Sequence, residues 1–215
     1  MNSRPILLMR TFPIIPIIAF LSVISLNADS SSNSEDLGFA VFRDRCMACH
    51  LQSGMGIKEM NAPSIAGLPR WYVTDQLRKF RRNQRGNHIE DAAGSLMQTN
   101  ALALDEKSIA FVGRHIESLT PNEGRNILSK KSTKDSKVLY RKRCQECHGE
   151  HGEGNRSDRV PPLTSQQDWY LLKQIDNFQT GKRLHYENDS LNELSEEQLQ
   201  SIIAWICSLP SSPPE

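Results

Sequence analysis

The stretch Cys46-Met47-Ala48-Cys49-His50 decides how the rest of this 215-residue sequence is interpreted. Two cysteines separated by two residues and followed at once by histidine are the attachment signature of a c-type haem. Each thiol can form a thioether with one vinyl group of the porphyrin edge, and the adjacent imidazole can bind the iron from below. Cys46 and Cys49 are therefore the candidate attachment residues, and His50 is the candidate proximal iron ligand.

The same signature returns as Cys144-Gln145-Glu146-Cys147-His148, and the sequence after it repeats as well. Matching residues lie 98 positions apart: Pro63 and Pro161, Trp71-Tyr72 and Trp169-Tyr170, Gln76 and Gln174, Phe80 and Phe178. A constant offset over this length indicates a duplicated domain. It predicts a second haem attached through Cys144 and Cys147, with His148 as its proximal ligand.

Two other uses of paired cysteines fit the pattern less well. A single zinc site would have to join pairs that lie about 95 residues apart, and it would leave both adjacent histidines unexplained. A redox disulfide of the thioredoxin type requires a βαβ context, and the sequence has no alternating strand pattern of useful length. The expected cofactors are therefore two covalently bound haem c groups.

Residues 1–28 have the features of a secretory signal peptide. Arg4 and Arg10 form a positive region without acidic residues, and the apolar run that follows ends at the small-residue site Leu26-Asn27-Ala28. That run is shorter than the roughly 20 residues that a membrane-spanning helix needs. We therefore expect cleavage and a periplasmic protein, in the compartment where bacteria attach haem c.

The remaining sequence predicts two helical domains, 36–120 and 135–210, joined by a linker over 121–134. The linker is rich in Pro, Asn, Gly, Ser and Lys. Apolar residues at helical spacing predict a helix near the end of each domain, over 105–119 and 195–209. The expected fold class is all-α, with a few short helices of each domain wrapped round one haem.

Composition excludes one class of partner and supports the need for a cofactor. The formal net charge of +1 falls to −1 when Arg4 and Arg10 are removed, so the basic excess of a nucleic-acid-binding protein is absent. The mean hydropathy of −0.51 fits a soluble protein. Domains of about 80 residues commonly need a metal or cofactor to complete their core, and haem would supply a large apolar plate.

Together, these motifs resemble class I cytochrome c, and their duplication is similar to the dihaem cytochrome c4 family, over residues 36–210. The resemblance implies that Pro63 and Pro161 lie on loops whose carbonyls orient the proximal histidines. It also implies that Tyr72 and Tyr170 lie near haem propionates, although simple helix packing explains them equally well.

The two halves differ in the sixth iron ligand. In this family a methionine thioether usually fills that position and raises the potential, and Met97 lies where it is expected. The second half contains no methionine, and its final helix follows at an offset of 90, as in Leu104 and Leu194. Eight residues are therefore missing before Leu194, and the position of Met97 falls on Glu187, a poor ligand for low-spin haem.

His185 is the candidate ligand of the second iron. It lies in the shortened loop, and its apparent counterpart in the first half is His88, which is not expected to bind iron. The sequence leaves two main alternatives open, which are a bis-histidine haem of lower potential and an open or water-bound iron. Tyr186, a lysine or Cys207 are lesser candidates.

Two functions are compatible with these sites. The first is a periplasmic electron carrier without catalytic residues, which transfers single electrons between donor and acceptor redox proteins. Such a carrier could associate peripherally with the membrane through a membrane-bound oxidase or dehydrogenase. The alternative is a haem enzyme or enzyme subunit that uses an open second haem to reduce a small oxidant or to oxidise a sulfur compound.

Overall fold

The computed structural model of this protein describes residues 30–121, 132–164, 166–185 and 189–210. The predicted signal peptide, 1–28, and positions 122–131 of the predicted linker lie outside these ranges. Within the described ranges every regular element is a helix, apart from two isolated bridges. The all-α prediction is confirmed.

The two halves share the same order of α-helices, and among the described residues only the first half has a 3-10 helix. The first half contains α1 (Ser30–Arg45), α2 (Met47–His50), a short 3-10 helix (Lys58–Met60), α3 (Arg70–Arg81), α4 (Ala92–Leu102) and α5 (Glu106–Ser118). The second half contains α6 (Lys134–Arg143), α7 (Gln145–His148), α8 (Asp168–Gln179), α9 (Asp189–Asn192) and α10 (Glu196–Ile206). The length of α9 differs most from that of its counterpart, because α9 has four residues where α4 has 11.

In the first half, α1 packs across α5. Gly38 permits the close approach, because a Cβ at this position would lie 2.7 Å from the carbonyl oxygen of Phe111. Phe42, one turn further along α1, is completely buried, and its ring centre lies 4.9 Å from that of His115. His115 thus packs in the core of the first half. The 90-residue offset of the final helices matches it with Trp205 in the second half, which also indicates packing.

In the second half, α6 and α10 form the equivalent contact with different side chains. Ser136 replaces Gly38, and its hydroxyl hydrogen-bonds to the hydroxyl of Ser201 at 2.8 Å. Tyr140 replaces Phe42, is completely buried, and donates a hydrogen bond to the carbonyl oxygen of Gly149 at 2.7 Å. The buried hydroxyls of Ser136 and Tyr140 thus both have partners, whereas the buried Trp205 Nε1 on α10 has none among the described residues.

The helix starts follow local capping signals. Ser195 and Gln198 form a capping box at the start of α10, and Asp105 caps α5 by accepting a hydrogen bond from the Ser108 amide at 2.7 Å. The sequence analysis did not predict α4. Its signal is Asp91, whose carboxylate accepts a hydrogen bond from the Gly94 amide at 3.0 Å and starts the helix that carries Met97.

The two halves contact each other through α3, α8 and the residues that follow these helices. Arg85, which is buried, donates to Tyr170 Oη at 2.8 Å and to Gln174 Oε1 at 3.4 Å in the second half. Gln76 of its own half accepts from the same guanidinium at 2.7 Å. This arginine therefore joins the two repeats from a buried position.

Arg183, which lies 98 residues further along the chain, makes the reciprocal contacts from the second half to the first. It donates to Tyr72 Oη at 3.2 Å and to Gln76 Oε1 at 3.2 Å in the first half, and to Gln174 in its own half. Each arginine therefore donates to a tyrosine and a glutamine of the opposite half, and these residues occupy equivalent positions in the two repeats. The duplicated halves are consequently related by an approximate two-fold axis through this arginine pair.

A second set of hydrogen bonds connects the loop after the first haem motif to the start of α8. The Ser64 amide donates to Gln167 Oε1 at 2.9 Å, and Gln167 Nε2 donates to the carbonyl oxygen of Met55 at 3.0 Å. Gln166 Nε2 donates to the carbonyl oxygen of Ser64 at 3.0 Å. The contact between the halves is thus polar and hydrogen-bonded along its length.

We expect the Arg85–Tyr170 hydrogen bond to stabilise the contact between the halves. A double-mutant cycle of Arg85→Met and Tyr170→Phe should give a coupling free energy of about 1–3 kcal/mol, because one partner is charged and the pair is buried. The measurement is guanidinium-induced unfolding of the haem-loaded protein, followed by circular dichroism. The exposed pair Arg43 and Asp44 is the control and should show no measurable coupling. Equal coupling for both pairs would contradict the prediction.

Candidate haem-binding sites

The first Cys-x-x-Cys-His motif forms one helical turn at the end of α1. The Cys46 amide donates to the carbonyl oxygen of Phe42 at 2.8 Å, and the His50 amide donates to the carbonyl oxygen of Cys46 at 2.9 Å. Cys46, Cys49 and His50 all line one cavity. Burial raises the pKa of Cys46 to about 12. The turn therefore presents two thiols and an imidazole to the same space.

His50 is held in one orientation by a hydrogen bond to Pro63. Its Nδ1 lies 2.8 Å from the proline carbonyl oxygen, which can only accept, so Nδ1 carries the proton and Nε2 keeps its lone pair. Burial lowers the pKa of His50, partly opposed by the hydrogen bond to Pro63. A neutral imidazole with a free Nε2 is the form that binds a metal.

The cavity at this motif is large and has mainly apolar walls. It encloses about 1330 Å³, including the space at its open mouth. Met97 on α4 lines the same cavity as His50. Other apolar wall residues include Ile65, Leu68, Val73, Leu77, Phe80 and Leu104. These walls suit a flat apolar group with a metal at its centre.

The cavity wall also contains polar and charged side chains, and these suit the propionate groups of haem. Arg85, Tyr170 and Gln174 line the cavity, and two of these belong to the second half. In the described ranges Arg85 and Arg183 form no ion pair with a carboxylate within 4.0 Å. Asp91 attracts Arg85 electrostatically from a larger distance, and the two propionates of haem would supply further negative charge next to this buried cation. The residues present therefore fit the cofactor in both their apolar and their charged parts.

The second motif has the same local geometry. The His148 amide donates to the carbonyl oxygen of Cys144 at 2.9 Å, and His148 Nδ1 donates to the carbonyl oxygen of Pro161 at 3.0 Å. Burial is the main cause that lowers the pKa of His148. Burial also raises the pKa of Cys144 to about 12, as at the first site. Both halves thus prepare an imidazole in the same tautomer beside a pair of thiols.

His185 lies close to His148, the candidate proximal ligand of the second half. The ring centres of His148 and His185 are 6.4 Å apart, and the rings are inclined by 21°. Phe178 packs against the other imidazole, with 4.8 Å between the ring centres of Phe178 and His185. Tyr186 and Glu187 lie outside the described residues.

The position of His185 in the repeat needs a correction. Arg85 and Arg183 make equivalent contacts, so the offset of 98 extends through them and matches His185 with Asn87 rather than His88. His88 does not line the cavity of the first site, and its Nδ1 accepts a hydrogen bond from the Glu90 amide at 3.2 Å. The two histidines are neighbours in the alignment but are not equivalent.

The structure gives no support to the zinc alternative. Among the described residues, no group of three or more His, Cys, Asp and Glu side chains is arranged to hold a metal ion. None of the five cysteines forms a disulfide, and the described residues do not bring the two cysteine pairs together into one metal-binding cluster. In the same part of the chain, no helix is both long and apolar enough to cross a membrane.

Sequence reasoning missed the two interface arginines. The signal was available, because Arg85 and Arg183 continue the 98-residue offset beyond Phe80 and Phe178. Each guanidinium lies over the ring of the preceding phenylalanine, at 4.6 Å for Arg85 and 4.9 Å for Arg183. Because the same contact occurs in both halves of the chain, Arg85 and Arg183 are parts of the repeated unit.

Both halves of the chain match models of cytochrome c domains. Residues 35–120 match the family described as cytochrome c, and residues 131–206 match the family described as cytochrome c oxidase, cbb3-type, subunit III. Cytochrome c-552 of Acidithiobacillus ferridurans is 25% identical over 174 residues, which cover 76% of this chain and 73% of that protein. The thiosulfate dehydrogenase electron acceptor of Thiomonas intermedia (strain K12) is 28% identical over 178 residues, which cover 78% and 80%.

A solved structure has the same architecture. The cytochrome c4 of Acidithiobacillus ferrooxidans superposes with a TM-score of 0.63 at 23% identity, over 77% of this chain and 99% of that chain. At this level of identity the likeness concerns the fold. The chain therefore contains two domains of the cytochrome c type in tandem, an arrangement similar to that of the dihaem cytochromes c4.

Proposed function

We propose that this protein carries two covalently bound haem c groups and passes single electrons between redox proteins in the periplasm. The observation that supports it best is the repeated site, in which the same turn and the same imidazole–carbonyl hydrogen bond occur twice. Cys46 and Cys49 would hold the first haem, and Cys144 and Cys147 the second. His50 and His148 would be the proximal ligands.

Each bound haem would supply the iron that gains or loses one electron. The chain would keep the surroundings of that iron unchanged during transfer. The hydrogen bonds from His50 to Pro63 and from His148 to Pro161 hold the imidazoles in place. Arg85 and Arg183 would neutralise propionates and keep the halves in a fixed relation. Transfer of this kind requires neither a general base nor a nucleophile.

Met97 is the proposed distal ligand of the first haem. It lies on α4, and this helix packs closely against the loop before it, because a Cβ on Gly86 would lie 2.2 Å from the carbonyl oxygen of Gly94. Ser95 Oγ also donates to the carbonyl oxygen of Gly86 at 3.0 Å. A thioether held by a rigid helix favours ferrous iron and raises the potential.

The partners are proposed to be redox proteins on both sides of the electron path. One relative is named as the electron acceptor of a thiosulfate dehydrogenase, so a dehydrogenase that oxidises a sulfur compound is a reasonable donor to test. The acceptor would be an oxidase or another cytochrome. If either partner is membrane-bound, this protein would associate with the membrane peripherally.

The haem content tests the cofactor assignment. Protein exported to the periplasm should contain two haems per chain by the pyridine haemochrome assay, because it has two complete attachment motifs. The double substitution Cys144→Ser and Cys147→Ser should leave one haem, and Cys207→Ser should leave two. A wild-type protein with a single haem would refute the proposal.

The substitution Met97→Ala tests the first distal ligand. Loss of the thioether should lower the potential of one haem by an amount on the order of 100 mV and abolish the charge-transfer band of methionine-ligated ferric haem. Redox titration and visible spectroscopy measure both effects. Met60→Leu is the matched control, because Met60 lines the same cavity and is 47% exposed. If Met97→Ala kept the charge-transfer band, another residue would be the distal ligand of the first haem.

A reduction assay distinguishes the carrier from an enzyme. With thiosulfate and a purified thiosulfate dehydrogenase, the carrier should accept about one electron per haem, and thiosulfate alone should not reduce it. The absorbance of ferrous haem follows the reaction in a stopped-flow instrument. Rapid reduction by thiosulfate without the dehydrogenase would instead favour the alternative, a sulfur-oxidising enzyme.

A further inference from the structure

We infer that His185 binds the iron of the second haem on the face opposite His148 and replaces the methionine that this half lacks. The inference rests on the proposed function in one respect, since it requires a haem attached at Cys144 and Cys147. It goes further because it assigns a different coordination to each of the two irons.

The first argument is the loss of the segment that carries the methionine. The helices α4 and α9 end 90 residues apart, at Leu102 and Asn192, so the four residues of α9 correspond to the last turn of α4. The earlier part of α4, including the position of Met97, has no counterpart within the shorter α9. No methionine follows Met97 in the sequence. A thioether ligand from the second half is therefore excluded.

The second argument is the way the shortened loop is held. Its first end is fixed by Arg183, whose amide donates to the carbonyl oxygen of Asn177 at 2.9 Å and whose guanidinium donates to Tyr72 Oη at 3.2 Å. The other end is fixed by Gln179, whose Nε2 donates to the carbonyl oxygen of Leu191 at 2.8 Å. His185 follows Arg183 by two residues, so these contacts restrict its position.

The third argument is the distance between the two imidazoles. Metal–nitrogen bonds of about 2.0 Å, with about 1.2 Å from each nitrogen to its ring centre, would place two imidazoles that share one metal about 6.4 Å apart. The ring centres of His148 and His185 lie 6.4 Å apart. An aromatic pair without a metal can have the same separation, so the variants below are chosen to distinguish the two.

The fourth argument concerns the atoms that remain available. His148 uses Nδ1 for the hydrogen bond to Pro161, so only Nε2 is left for a metal. The ring of Phe178 packs against His185, with ring centres 4.8 Å apart, and limits the rotation of the imidazole. Both histidines are thus restrained before any metal is present.

Ligation by His185 would make the two haems unequal. Two imidazoles favour ferric iron more than an imidazole with a thioether, so the second haem would have the lower potential. An electron that entered at the second haem would therefore be transferred to the first haem, which would be the one reduced at equilibrium. Both axial positions of the second iron would be filled, which would close it to small ligands.

The experiment compares wild type, His185→Ala and the control His88→Ala, all as full-length protein with the haem content measured first. Electron paramagnetic resonance and near-infrared magnetic circular dichroism report the ligands of each ferric haem. Wild type should show one His/Met and one bis-histidine haem, and its reduced form should not bind carbon monoxide rapidly. His88→Ala should be identical to wild type.

In His185→Ala, half of the haem should become high-spin and bind carbon monoxide, and added imidazole should restore the low-spin signal. His185→Met should convert the bis-histidine signal into a second His/Met signal and raise the potential of that haem. If His185→Ala fails to retain its second haem, the wild-type spectra and His185→Met decide the question.

The inference is overturned by a high-spin or carbon monoxide-binding haem in wild type, or by unchanged spectra in His185→Ala. Failure of the proposed function is distinguishable, because it would appear as fewer than two haems per wild-type chain or as no electron uptake from a redox partner. A wild-type protein that binds two haems and accepts electrons, but has an open second iron, would remove the inference alone.

Discussion

The hydrogen bond from the proximal histidine to a proline carbonyl is the constraint on which each half depends. This hydrogen bond requires the loop after each motif to fold back toward the histidine. In the first half the Gly56 amide donates to the carbonyl oxygen of His50 at 2.9 Å, and in the second half the Gly154 amide donates to that of His148 at 2.8 Å. Both glycines have positive φ, and a Cβ at Gly56 would lie 2.4 Å from the carbonyl oxygen of Pro63. Glycine at this point of the repeat therefore allows the carbonyl to reach the imidazole and fix its tautomer.

The contact between the halves and the candidate haem sites share residues, so neither is independent of the other. Arg85 lines the first cavity and also donates to Tyr170 of the second half. A buried guanidinium stabilises a structure only when its charge is compensated, and the propionates of a bound haem would compensate it. Attachment of haem would thus strengthen the same contact that holds the two domains together.

The two halves have the same turn at their candidate attachment motifs but differ in the segment before the last helix, which is shorter in the second half. The first half keeps α4 with Met97, whereas the second half keeps only the last turn of that helix. The turn of Cys144 to His148 and its hydrogen bond to Pro161 are nevertheless the same as in the first half. The anchoring of the cofactor and the choice of its distal ligand are therefore separable, because they lie on different segments of the fold.

The sequence alone determined the features that depend on short spacing. Both Cys-x-x-Cys-His motifs, the all-α class and the capping box of α10 follow from residues within a few positions of each other, and the recurrence of such local patterns at a constant offset gives the 98-residue repeat. Only the tertiary structure decided the rest, which included the helix that carries Met97, the contact of Arg85 with Tyr170, and the approach of His185 to His148. The physical reason is that the last two contacts join residues 85 and 37 positions apart, so their distances depend on how the helices pack, whereas the start of the helix with Met97 has only a short capping signal at Asp91.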